Sequence, residues 1–137
     1  MATVYEVPVD KLINETAEDL KENVKLKKPD WANYAKTGAH AERPPENPDW
    51  WWIRAASIMR KVYMNGPVGV RRLTTAYGGR KDRGVKPQEF RRAGGKNIRV
   101  ILKELDALGY TEKVKDGRRI TPKGQSYMDK IVNKIKV

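Results

Sequence analysis

Prolines and glycines cut this chain into short pieces. They stand at Pro29, at Pro44, Pro45 and Pro48, and at Gly66-Pro67, Gly78-Gly79, Gly94-Gly95, Gly109, Asp116-Gly117 and Thr121-Pro122. Proline lacks the N–H that a helix interior needs, and glycine favours the left-handed turn that ends a helix. Each interval can therefore hold one helix or one strand pair. The punctuation predicts several short elements packed around one core.

Apolar spacing says which intervals are helical. After Pro8, the residues Val9, Leu12, Ile13, Ala17 and Leu20 recur with the helical period, and the charged residues between them make this first helix mildly acidic. Asp30 can cap a short turn that begins at Trp31 and stops near Gly38, and the prolines of 37–48 predict an ordered loop or extended crossing. Asn47-Pro48-Asp49 signals the start of a central helix over Trp50–Asn65, closed by Gly66-Pro67. Within it Ile53, Ala56, Arg60 and Met64 share one face, and Trp50, Arg54 and Lys61 another. Val70 to Tyr77 fits a two-turn helix, with Val70, Leu73 and Tyr77 on one side.

Residues 78–95 read differently. Few of their side chains could reach a core, so the segment is expected to be a mobile basic loop that a polyanion orders. Lys96 to Leu108 returns to the helical period, with Ile98, Ile101, Leu102, Leu105 and Leu108 as its stripe and Gly109 as its C-terminal cap. A reversal at Asp116-Gly117 predicts a small hairpin, and Thr121-Pro122 opens a last helix carrying Met128, Ile131, Val132 and Ile135. The expected fold is mainly α. It is a winged helix-turn-helix with an N-terminal helical extension, a β-hairpin wing and a C-terminal helix. At 137 residues a single domain is expected, with the extension and loop at 1–48 and the winged-helix core at 49–137.

Charge points to the partner. The chain holds 29 Lys and Arg against 17 Asp and Glu, a net +12. Between Arg54 and Lys103 fourteen basic residues face only Asp82 and Glu89, so the whole excess lies in that window and the flanks balance. A block of this kind attracts a polyanion. With no cysteine and a lone His40, metal and thiol chemistry are not expected. No cofactor or small-molecule substrate is expected either. The chain has no apolar run long enough to span a bilayer and no signal-peptide pattern at its start, so a cytoplasmic, membrane-free protein is expected.

Certain residues are specific enough to carry a family resemblance. They are the run from Trp50 to Ser57, Arg60, Tyr63, Gly69-Val70, Tyr77-Gly78-Gly79-Arg80, Gly84-Val85, Pro87, Phe90, Leu102 and the segment Gly117 to Gly124, with Pro29-Asp30-Trp31 and Lys36 to His40 before them. This pattern closely resembles the nineteenth small-subunit ribosomal protein of the eukaryotic and archaeal type, over nearly the whole chain. The resemblance implies a winged-helix fold, a place in the head of the small subunit bound to its ribosomal RNA beside neighbouring proteins, and a role in subunit maturation. By position it carries RNA contact onto Trp50, Arg54 and Arg60, onto the glycine-rich loop Tyr77 to Gly84, and onto Lys96 and Arg99. Three consecutive tryptophans and Gly94-Gly95 depart from many relatives, and leave open which tryptophan meets RNA.

The candidate RNA-binding residues are Trp50, Arg54, Arg60, Lys61, Arg71, Arg72, Arg80, Lys81, Arg83, Lys86, Arg91, Arg92, Lys96, Arg99 and Lys103. Basic side chains contact phosphate, and Trp50 is placed to stack on a base. Consecutive helix positions fan out by about 100°, so Trp50, Trp51 and Trp52 cannot all face one RNA surface, and Trp52 is expected in packing. Arg60 is equally readable as a partly buried structural arginine. Lys96, Arg99 and Lys103 occupy a recognition-helix position that a merely solvated face would match. Lys115, Arg118 and Arg119 are read as keeping the wing soluble. A winged-helix DNA-binding regulator is the alternative function, although no dimer helix is evident and the chain is expected to be monomeric. No nucleophile beside a base, metal set or carboxylate pair suggests an enzyme.

Overall fold

The computed structural model describes residues 4–24, 26, 28–29, 49–93 and 95–136. The expected turn from Trp31 to Gly38, the crossing at 37–48 and His40 lie outside them. A short 3-10 turn at Val4–Glu6 precedes α1 (Val9–Glu22), α2 (Trp50–Asn65) and α3 (Val70–Ala76). A hairpin follows, β1 (Gly79–Arg83) with β2 (Lys86–Arg91), then α4 (Gly95–Leu108). The wing is β3 (Thr111–Val114) with β4 (Gly117–Ile120), and α5 (Pro122–Lys136) follows it. The fold is mainly α and winged-helix-like, as the sequence predicts.

One cluster of buried side chains joins all five helices. α1 contributes Leu12, Ala17 and Leu20, one helical face, and the buried hydroxyl of Thr16 is satisfied by donating to the carbonyl of Leu12 at 2.7 Å. α4 places Ile98, Ile101, Leu102 and Leu105 completely out of solvent. Each such side chain contributes about 1.5–3 kcal/mol relative to exposure. α2 packs on α1 along one side and on β4 along another, so its buried arc is wide. That arc centres on Trp51, Ala55, Ile58, Met59 and Val62. Ile53, Arg60 and Met64, expected to line the packed face with Ala56, sit at its margin instead, because the second packing partner is invisible in the helix's own periodicity.

Local chemistry sets the ends of α4 and α5. Gly109, at φ +83°, lets the N–H of Tyr110 reach the carbonyl of Leu105 at 3.1 Å and its own N–H reach Asp106 at 3.0 Å, the paired bonds of a Schellman motif. Thr121 caps α5 by accepting from the N–H of Gly124 at 3.1 Å, with Pro122 in the first turn.

The wing differs from expectation by one residue. Its reversal falls on Lys115-Asp116, and Gly117 is the first residue of β4, paired with Val114. Val68 exchanges both backbone hydrogen bonds with Arg118 at 2.9 Å, adding a third short strand-like segment. A Cβ on Gly117 would stand 2.5 Å from the Val68 carbonyl, so the close approach demands glycine there rather than in the turn.

The larger difference is at 78–95. The expected loop is a β-hairpin inserted between α3 and α4, where a helix-turn-helix has its turn. Its register runs Gly79 with Arg91, Arg80 with Phe90, Lys81 with Glu89 and Arg83 with Lys86, with a bulge between Lys81 and Arg83. Gly84, at φ +72°, supplies the positive φ that a tight two-residue hairpin requires. Cross-strand bonds satisfy the backbone without an apolar face, so the absence of core residues did not require a loop. A lone two-stranded ribbon is marginal. This one is tied to α3 at both ends, by Gly78 N–H to Thr75 O and Ala93 N–H to Thr74 O.

Candidate nucleic-acid interface

The basic window is distributed over four surfaces. On α2, the guanidinium of Arg54 lies 4.1 Å above the ring of Tyr77, at the end of α3. The Tyr77 hydroxyl is 2.6 Å from that of Ser57, and Lys61 lies 5.5 Å from the same ring. Burial lowers the pKa of Arg54 from its ordinary value, and its nearness to Tyr77 opposes this. Burial raises that of Tyr77, while the bond to Ser57 and the charges of Arg54 and Arg60 pull it back. One guanidinium nitrogen of Arg54 and Nε of Arg60 are shielded from solvent with no hydrogen-bond partner among the described residues. Arg60 is thus partly buried, and both of its readings, structural arginine or RNA contact, stand.

Between α2 and α3 runs a groove of about 350 Å³ lined by Lys61, Asn65, Val68, Arg72, Leu73 and Ala76. Arg72 also lines a second hollow of about 430 Å³, with Arg71, Pro67, Gly69 and Asp116 of the wing turn. Both arginines are exposed, so α3 presents a charged edge to two concavities at once.

On the inserted hairpin, Lys86, Arg91 and Arg92 are exposed, and Arg91 pairs with Glu89 at 3.3 Å. For Arg80, Lys81 and Arg83 the backbone position on β1 is what is described. On α4, Lys96, Arg99 and Lys103 are all exposed, opposite the buried stripe, and so occupy the outer face of the second helix of the helix-turn-helix.

Trp50 requires a correction. It is 8% exposed, its ring set edge-on to Trp51 at 5.5 Å, and is not presented as a base-stacking platform. Burial of α2 on two sides draws it inward with Trp51, which is fully buried. Trp52 packs as expected. Its Nε1–H donates to the carbonyl of Leu26 at 2.8 Å, and Lys21 and Lys28 flank its ring.

The wing arginines have internal partners. Arg118 Nε donates to Asp106 at 3.0 Å, and Arg119 pairs across the strands with Glu112. Two residues now stand out: Tyr77, named before only as the start of the glycine-rich loop, which organises Arg54 and Lys61, and Phe90, which was not among the candidates and is exposed on β2. Gly84 after a polar run was the one signal that could have exposed the hairpin, and with it Phe90. Among the described residues no group of acidic or histidine side chains could hold a metal ion, and no helix is long and apolar enough to cross a membrane.

The chain is similar to known proteins over nearly its whole length. The sequence profile of the family described as Ribosomal protein S19e matches residues 3–137. The small ribosomal subunit protein eS19 of Aeropyrum pernix is 47% identical, the alignment covering 98% of this chain and 90% of the relative. That of Thermoplasma acidophilum is 42% identical, over 94% and 86%. The small ribosomal subunit protein eS19B of Schizosaccharomyces pombe is 39% identical, over 94% and 91%. Near-complete matches to both archaeal and eukaryotic proteins place the chain in the ribosomal protein S19e family of structural, non-enzymatic small-subunit proteins.

Proposed function

We propose that this protein binds ribosomal RNA in the head of the small subunit, in the cytoplasm, beside neighbouring head proteins, and supports maturation of that subunit. The observation that carries this reading is the confinement of the whole +12 excess to the window of α2, α3, the inserted hairpin and α4, where Arg71, Arg72, Lys86, Arg91, Arg92, Lys96, Arg99 and Lys103 are exposed. The flanking helices α1 and α5 are outside that window. Such a surface suits a curved, branched polyanion better than one straight groove.

Phosphate contact is the mechanism. Arg71, Arg72, Lys86, Arg91 and Arg92, with Arg80, Lys81 and Arg83 along β1, follow the backbone of the RNA, and Lys96, Arg99 and Lys103 add a second line. Arg54 and Lys61 are held by Tyr77 rather than free in solvent, so less side-chain entropy is lost when phosphate arrives. The test is binding of the protein to a transcript of the small-subunit head domain and to random duplex DNA of equal length, across a salt series. Tight, salt-sensitive binding that favours the transcript is expected. Preference for DNA would overturn the reading.

A further inference from the structure

We propose that Phe90 is a base-stacking residue, a platform on the inserted hairpin for one unpaired RNA base. The proposal rests on the ribosomal RNA reading and names the kind of nucleotide its hairpin takes. Phe90 is the only phenylalanine of the chain, and it is left 50% exposed on β2 while the core is filled by other residues. Among the described residues the other large apolar side chains at the surface are Tyr5, Val9 and Val85. Tyr5 and Val9 stand outside the basic window, and Val85, at the hairpin tip, has no π face. Among the described residues Phe90 alone combines an open aromatic ring with a place in the basic window.

The ring is already positioned. A Cβ on Gly78 would lie 2.9 Å from Phe90 Cζ, so one part of the ring rests against the hairpin root, at the end of α3. A ring seated in this way does not have to be ordered when a base arrives. Strand alternation turns Glu89 to the face opposite Phe90, where it pairs with Arg91. The backbone partner of Phe90 across the ribbon is Arg80, and Arg92 follows two residues after it. The one acid of β2 is therefore kept off the face where a nucleotide's phosphate would come to rest, and charge favours a nucleic-acid base over an apolar protein side chain as the occupant.

The experiment compares Phe90→Ala, Phe90→Leu and Phe90→Tyr with the parent protein. The probes are the head-domain transcript and a perfectly paired RNA duplex of equal length, over a salt series, with thermal melting as a check on folding. Stacking predicts that Phe90→Ala and Phe90→Leu weaken transcript binding by about five- to a hundredfold, with the salt slope and the duplex affinity unchanged. Phe90→Tyr retains binding. Phe90→Leu keeps the apolar bulk, so it isolates the π face even where the alanine variant melts early. Unchanged transcript affinity for the leucine variant, beside tight binding by the parent, overturns the stacking role and leaves the surface to a protein neighbour. Equal losses on transcript and duplex overturn it too. A parent protein that does not bind the transcript overturns the ribosomal RNA reading itself, and does so before any Phe90 variant is measured.

Discussion

Arg54 on α2 lies face-on over Tyr77 at the end of α3, 4.1 Å from the ring centre, and Tyr77 is in turn fixed by its hydroxyl to Ser57. A side chain of the packed central helix is thus joined to the residue from which the inserted hairpin departs. Tyr77→Phe removes only the hydroxyl bond, and is expected to cost about 0.5–1.5 kcal/mol in chemical denaturation with little effect on RNA binding. Tyr77→Leu also removes the cation–π contact, worth about 0.5–2 kcal/mol. It should weaken binding to the head transcript beyond its effect on stability.

If about six hairpin and α3 charges neutralise phosphate, the plot of log affinity against log salt concentration should have a slope of roughly −4 to −5. Replacing Lys86, Arg91 and Arg92 together by Ala should make it shallower by about 2 to 3. The same triple substitution leaves the melting temperature nearly unchanged, because all three side chains are exposed. A slope that does not move would remove the hairpin from the interface.

Asp106 holds the wing to α4 by accepting from Arg118 at 3.0 Å and from the Thr111 hydroxyl at 2.5 Å. Asp106→Ala leaves a half-buried guanidinium and a hydroxyl without their acceptor. A loss of about 1–3 kcal/mol is expected, read as a lower urea midpoint at an unchanged m-value. Asp106→Asn keeps acceptor capacity and should lose less.

Tyr127 on α5 donates to the carboxylate of Asp19 on α1. Burial first, then that bond and the Asp19 charge, raise the Tyr127 pKa far above the ordinary phenol value. The unfolded chain, with an ordinary tyrosine near 10, therefore loses this proton before the folded one does. The contribution is fully present below about pH 10 and declines as pH rises above it. Tyr127→Phe should lower stability at pH 7 by about 0.5–1.5 kcal/mol and flatten the alkaline decline, measurable by denaturation at pH 8 and at pH 11.

What the sequence disclosed and what it withheld divide along a physical line. Gly109 and Thr121-Pro122 were legible because a cap is decided by the residues that form it, and both helix ends fall where their chemistry puts them. The stripe of α4 was legible because its buried residues Ile98, Ile101, Leu102 and Leu105 keep to one helical face opposite the charged one, which prints the period directly. Trp50 was misread because burial depends on what α1 and β4 lay against α2, and no spacing within α2 encodes a second neighbour. The hairpin was hidden for another reason. Its strands hold together by backbone bonds between residues that are basic on both faces, so the alternation that betrays a strand is missing. The basic positions of the candidate site were legible as charge, whereas the pairing of Arg118 with Asp106 and of Arg119 with Glu112 required the wing to be folded.

The bond between Asp19 and Tyr127 spans 108 residues, and the cluster that buries Leu12 and Leu20 also contains Met128 and Val132. During synthesis α1 is made well before α5. The apolar face of α1 therefore has no complete shelter until α5 has left the exit tunnel of the translating ribosome. Folding of the core therefore waits for α5, and until then the early helix is a surface for chaperones or for aggregation. Truncations that remove α5 should accordingly fail as whole proteins, not merely lose a terminal helix.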